Sequence, residues 1–136
     1  MLGAGPQETE IEMQNGKHVI LVLDDDADIL ESLRVVLEAN NYIVVTARSA
    51  EEGLRAYKSA EPDLLIVDLM MEEIDAGTSF VTKVRALGNT APIYVLSSVG
   101  DELNMATDAS ALGLDGVLQK PVDNNFLLSL LKTKLG

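Results

Sequence analysis

Residues 18–46 read HVILVLDDDADILESLRVVLEANNYIVVT, and their pattern decides the fold. His18 to Leu23 is a short continuous apolar run, the mark of a strand covered on both faces. The period then changes. From Ala27 to Ala39, Ile29, Leu30, Leu33, Val36 and Leu37 fall on one helical face, with Glu31, Arg34 and Glu38 opposite. Asn40-Asn41 ends that helix, and Tyr42 to Thr46 is a second, β-branched strand.

The alternation continues along the chain. Ser49-x-x-Glu52 is a capping box opening a helix through Tyr57, and Glu61-Pro62 breaks it. Leu64 to Val67 is a third buried strand. Thr78 to Leu87 is a helix with Phe80, Val81, Val84 and Leu87 inward, closed by Gly88-Asn89. Ile93 to Leu96 is a strand, Glu102 to Leu112 a weaker helix, Gly116 to Leu118 a last short strand, and Asp123 to Leu135 the final helix. Five strands alternating with five helices predict an α/β domain: a parallel sheet, right-handed crossovers and helices on both faces. Residues 17–136 form that domain, and residues 1–16 read as a disordered leader or cloning remnant.

Composition bounds the function. The chain has 136 residues, enough for one domain, and its hydrophobic fraction of 47% fills a core that 4% aromatics leaves mainly aliphatic. There is no cysteine, so disulfides and thiolate metal sites are excluded, and His18 is the one histidine. A net charge of −12 argues against binding nucleic acid or a polybasic membrane contact. No apolar run approaches the roughly 20 residues that span a bilayer. The N-terminus lacks signal-peptide features, so a cytoplasmic location is expected.

In open parallel sheets the ligand site lies at the carboxyl ends of the strands. Strand 1 ends in Asp24-Asp25-Asp26, strand 3 in Asp68, strand 4 in Ser97-Ser98 and strand 5 in Gln119-Lys120-Pro121. A parallel sheet gathers these at one edge. Packed carboxylates repel, and a hard divalent cation relieves the repulsion. Mg²⁺ takes one or two carboxylates with waters and phosphate oxygens, so Asp24, Asp25 and Asp68 suggest a Mg²⁺ site completed by a phosphate. Lys120 and the Ser97 hydroxyl suit the remaining phosphoryl oxygens. Singly, each residue has a plainer reading: Asp26 as a helix N-cap, Ser97 as a turn cap, Lys120-Pro121 as a solvated turn. Their joint placement at four strand ends carries the argument.

The stretches VILVLDDDADIL, DLLIVDLMM, PIYVLSSVG and LGLDGVLQKP resemble the receiver domains of bacterial two-component response regulators, in the family's order and near its spacing. The resemblance implies a flavodoxin-like (βα)5 doubly wound sheet, three layers αβα, with strand order 2-1-3-4-5. It implies that Asp68 accepts a phosphoryl group, that Asp24, Asp25, Asp68 and the Met70 backbone carbonyl hold Mg²⁺, and that Ser97 and Lys120 contact the phosphoryl oxygens. The implied partners are a sensor histidine kinase or phosphotransfer protein and a downstream protein, with a homodimer through the face of the fourth helix (102–112), fifth strand and fifth helix (Asp123 to Leu135) also possible. Such a protein is a switch rather than an enzyme. With no room for an effector domain after Gly136, a stand-alone receiver is expected.

Departures are specific. Glu72 stands where many receivers have proline, and the loop after Asp68 is one residue longer. The Ser97–Lys120 stretch is slightly long. Val117 stands where the family often has a Tyr or Phe switch residue. On the last helix, Leu127, Leu128, Leu131 and Leu135 define the inward face, and Phe126 and Leu130 fall outside it as a docking or dimer patch or under neighbouring loops. Three other functions compete. A Mg²⁺-dependent aspartyl phosphatase would need an acid where Met70 stands. An FMN carrier would need a phosphate-cradling loop where Asp24-Asp25-Asp26 stands. A degenerate receiver serving as a docking scaffold would need none of the site chemistry.

Overall fold

The computed structural model describes residues 16–69, 71, 76–98 and 113–135. Its elements are β1 (Val19–Leu23), α1 (Ala27–Ala39), β2 (Ile43–Ala47), α2 (Ala50–Ala60), β3 (Leu64–Asp68), α3 (Ala76–Ala86), β4 (Ile93–Ser97), β5 (Gly116–Gln119) and α4 (Asn124–Leu135). The five strands are all parallel in the order β2-β1-β3-β4-β5. This is the expected flavodoxin-like sheet. The leader up to residue 15 and the helix expected at 102–112 lie outside the described residues, so four helices are described rather than five.

The two faces of the sheet carry two cores. Side chains alternate across a strand, so Ile20 and Val22 face one way and Leu21 and Leu23 the other. Ile20, Val22, Leu64, Ile66, Tyr94 and Leu96 pack with Leu30, Leu33 and Leu37 of α1 and Leu127 and Leu131 of α4. Leu21, Leu23, Leu65, Val67, Ile93 and Val95 pack with Phe80, Val81 and Val84 of α3. Every residue of β1, β3 and β4 is buried, which is why these strands read as unbroken apolar runs. β5 is an edge strand, with Val117 39% exposed.

Local signals behave as their chemistry requires, with three differences. Ser49 Oγ accepts the Glu52 N–H at 3.1 Å, but the Glu52 carboxylate accepts from Arg48 N–H at 2.7 Å, one residue before the cap, so the expected capping box is only half formed. Leu87 is 53% exposed rather than inward. Helix α3 has already ended there: the Gly88 N–H donates to Arg85 O at 3.0 Å and the Asn89 N–H to Val84 O at 3.0 Å, with Gly88 at φ 92°. That pair of bonds is a Schellman closure, and it turns Leu87 away from the helical face. Leu130, expected outside the apolar face of α4, is partly buried against the core, whereas Phe126 stays exposed.

Candidate functional site

Each acidic residue at the site is placed by a backbone feature. The Asp24 N–H donates to Ala47 O at 3.1 Å, extending the β1–β2 ladder by one residue and carrying the Asp24 side chain inside. Asp24 Oδ1 accepts the Asp26 N–H at 2.9 Å. Asp26 is the N-cap of α1, its side chain accepting from the Asp28 N–H at 2.9 Å. The plainer reading of Asp26 therefore holds, and Asp24 and Asp25 remain to face the site. Asp68 is the last residue of β3 and is paired in register with Leu96 of β4. Asp24, Asp68 and Ser97 are all buried.

Carboxylate oxygens of Asp24, Asp25 and Asp68 lie within 4.8 Å of one another. Lys120 follows β5, and its N–H donates to Ser97 O at 2.7 Å, which ties the β5 end to the β4 end. Its peptide bond to Pro121 is cis. Lys120 Nζ donates to Asp68 Oδ2 at 3.0 Å and lies 3.1 Å from Asp24 Oδ2. The second contact neutralises charge without hydrogen-bond geometry, so Asp24 Oδ2 is buried with no hydrogen bond. Burial pushes the Asp24 carboxyl above the usual carboxylate range. The Asp68 charge adds to that, while the Asp26 N–H and Lys120 oppose it. Burial works against the Lys120 ammonium, but its hydrogen bond to Asp68 and the charges of Asp68 and Asp24 outweigh it and raise its pKa.

The structure thus brings Asp24, Asp25, Asp68 and Lys120 together. Ser97 stands at the end of β4, but its hydroxyl donates to Ser98 O at 3.3 Å, along its own strand. Met70 lies outside the described residues, as do Glu72 and Glu73. Two residues that matter here escaped the sequence reading. Arg48 donates to the backbone carbonyl of Asp25 at 3.1 Å, joining the β2–α2 turn to the acidic loop. A Cβ on Gly77 would lie 2.5 Å from Asp68 O and 2.6 Å from Leu69 Cα, so α3 can start against the back of Asp68 only with glycine there. The helix was expected from Thr78 and in fact starts at Ala76, so Gly77 lay outside the expected helix and its sequence carried no signal of the close approach.

The donor set fits a hard divalent cation: all-oxygen, anionic and only partly neutralised by Lys120. That fit rests on the three carboxylates and on the unbonded Asp24 Oδ2.

A family model, that of the response regulator receiver domain, matches residues 20–132. Among curated relatives, the transcriptional regulatory protein PrrA of Mycobacterium tuberculosis is 37% identical over 102 residues, covering 75% of this chain and 43% of PrrA. The response regulator MprA of Mycobacterium ulcerans is 35% identical over 116 residues, covering 85% of this chain and 49% of MprA. The chain therefore spans less than half the length of these relatives. Among solved structures, the Vibrio cholerae chemotaxis protein CheY4 superposes with a TM-score of 0.80 at 28% identity, covering 88% of this chain and 99% of that one. A two-component response regulator from Clostridium difficile superposes with a TM-score of 0.80 at 26% identity, covering 88% and 96%.

Proposed function

The chain belongs to the response regulator receiver domain family, and on that premise we propose that Asp68 accepts a phosphoryl group from a phosphohistidine of a sensor kinase or phosphotransfer protein. In that transfer the phosphorus–nitrogen bond breaks and a bond forms from phosphorus to an Asp68 carboxylate oxygen. The observation that carries the reading is the Lys120 ammonium, held within 3.1 Å of both Asp24 and Asp68 at the carboxyl edge of the sheet. Phosphoryl transfer asks chiefly for positioning and charge neutralisation. Lys120 can move from its carboxylate partners to a phosphoryl oxygen, and the Ser97 hydroxyl can turn from Ser98 O to another. Asp24, Asp25 and Asp68 would hold Mg²⁺ together with the Met70 carbonyl. That ion, when bound, supplies positive charge against the phosphoryl oxygens.

The acyl phosphate carries about −1.5 to −2 charge where the Asp68 carboxylate carried −1, and this more negative, bulkier group then alters the β4–β5 edge for a downstream protein. Val117, 39% exposed, offers no aromatic ring for the readout, so the signal passes through Ser97 and Lys120 and their loops. The chain acts as a switch, not on an external substrate, and we place it in the cytoplasm. No described helix is long and apolar enough to cross a membrane. The name of PrrA assigns transcriptional regulation to a protein more than twice the matched length. Direct nucleic-acid contact by the present acidic chain is not part of the proposal.

The test is incubation with acetyl phosphate and Mg²⁺ followed by intact mass. One phosphoryl adduct is expected, dependent on Mg²⁺ and lost in Asp68→Ala. No adduct, or one that survives Asp68→Ala, would sink the assignment and leave the scaffold reading.

A further inference from the structure

A second cleft lies away from the acidic edge. It opens where β1 and β2 begin, against one side of α4, and has a volume of about 570 Å³, within the range of small-molecule sites. Lys17, His18 and Lys132 line it. With 22 Asp and Glu against 10 Lys and Arg, an average patch of this chain carries about two carboxylates per cation. Among its described lining residues this cleft has two lysines, the one histidine and no carboxylate. Its lining is therefore opposite in charge to the chain as a whole, which favours an anion there.

The other lining groups narrow the ligand. Asn41 and Asn125 bring amide donors, and the half-buried ring of Tyr42 brings an apolar surface. The turn that carries Asn41 and Tyr42 is fixed. Asn40 Nδ2 donates to Val36 O at 2.8 Å, the Tyr42 N–H donates to Leu37 O at 3.0 Å, and Asn41 is left-handed at φ 72°. His18 Nδ1 is buried and makes no hydrogen bond. Asp63 Oδ2 stands 3.7 Å away and already accepts the Val19 N–H at 2.8 Å. A bare phosphate would use the lysines but leave most of the cleft and the Tyr42 ring to water.

We propose that this cleft binds a small organic phosphate monoester, its phosphate held by the Lys17 and Lys132 ammoniums and its organic part over Tyr42. None of these residues belongs to the acidic edge, so the proposal stands apart from phosphorylation of Asp68. The test uses the full ¹⁵N-labelled chain in Mg²⁺-free buffer, titrated separately with adenosine 5′-monophosphate, inorganic phosphate and adenosine. Saturable amide shifts at Lys17, His18, Asn41, Asn125 and Lys132 are expected with the monophosphate, with weaker binding of phosphate and of adenosine. Lys132→Glu, at an exposed position, should weaken the monophosphate by about tenfold or more while leaving the fold intact. Absence of saturable shifts overturns the proposal. So does binding that neither Lys132→Glu nor Lys17→Glu weakens, or equal affinity for the monophosphate and either of its parts.

Discussion

Asp24 carries the energetic tension of the site. It is fully buried, and burial is the main reason its carboxyl titrates above the ordinary value of 3.8. The folded state thus binds this proton more tightly than the unfolded chain does. The stabilising contribution is complete below 3.8 and is lost as pH rises through the raised folded value. At neutral pH an ionised Asp24 is a net burden that Lys120 and the Asp26 N–H only partly offset. Asp24→Asn keeps an oxygen for the Asp26 N–H and removes the charge. In Mg²⁺-free buffer at pH 7 it should raise stability by about 1 kcal/mol, a Tm gain of a few degrees, shrinking toward pH 4. Thermal melts at the two pH values check this; a lower Tm would mean that the Lys120 contact outweighs burial. Gly77 sets the opposite case. A methyl group there meets Asp68 O at 2.5 Å and cannot be accommodated without moving backbone. Gly77→Ala should cost about 1–3 kcal/mol in urea unfolding, and should slow phosphorylation by acetyl phosphate in the fraction that remains folded.

Helix ends are where reading the sequence met its limits, and they make their own prediction. Strand and helix identities were legible because a parallel sheet buried on both faces forces contiguous apolar runs, and the helices between them must show one apolar stripe. Ala27–Ala39 matched residue for residue. Leu87 departs from its expected inward place because the helical period says which residues share a face, but not where a Schellman turn rotates the chain; for Leu130 it left open the cover that the structure supplies. The strand-end rule found Asp24, Asp25, Asp68 and Lys120. It could not find Gly77 or Arg48, whose roles exist only through approaches between segments distant in sequence. Glu61 shows the same limit. With Pro62 it ends α2 as expected, but the sequence does not show that it does so as a C-cap in the left-handed region at φ 49°. A non-glycine residue there is strained, and its negative charge is placed at the negative end of the helix. Glu61→Gly should therefore stabilise the protein by roughly 0.5–1 kcal/mol, less the entropy that glycine adds to the unfolded chain. Urea midpoints of the two proteins test it, and a lower midpoint in Glu61→Gly would show that the αL strain is negligible.

A net charge of −12 on 136 residues gives the folded chain a self-repulsion that any salt will screen, so stabilisation by MgCl2 alone says little about a metal site. The geometry separates the two contributions. Screening acts on all exposed charges, whereas a bound ion acts where Asp24, Asp25 and Asp68 crowd within 4.8 Å of one another, with the Lys120 ammonium against Asp24 and Asp68. Binding to the folded state alone stabilises it by an amount that grows with concentration, about 2.7 kcal/mol at 100 times the dissociation constant. At matched ionic strength, MgCl2 should thus raise Tm above NaCl, and the excess should keep growing after the NaCl effect has levelled off. Asp68→Asn should retain the NaCl response and lose most of the Mg²⁺ excess, because it removes a ligand charge but hardly changes the net charge of the molecule. Equal melting curves in the two salts for the unmodified protein, or an excess that Asp68→Asn leaves whole, would place the Mg²⁺ effect on the general charge of the surface and remove the acidic edge as its site.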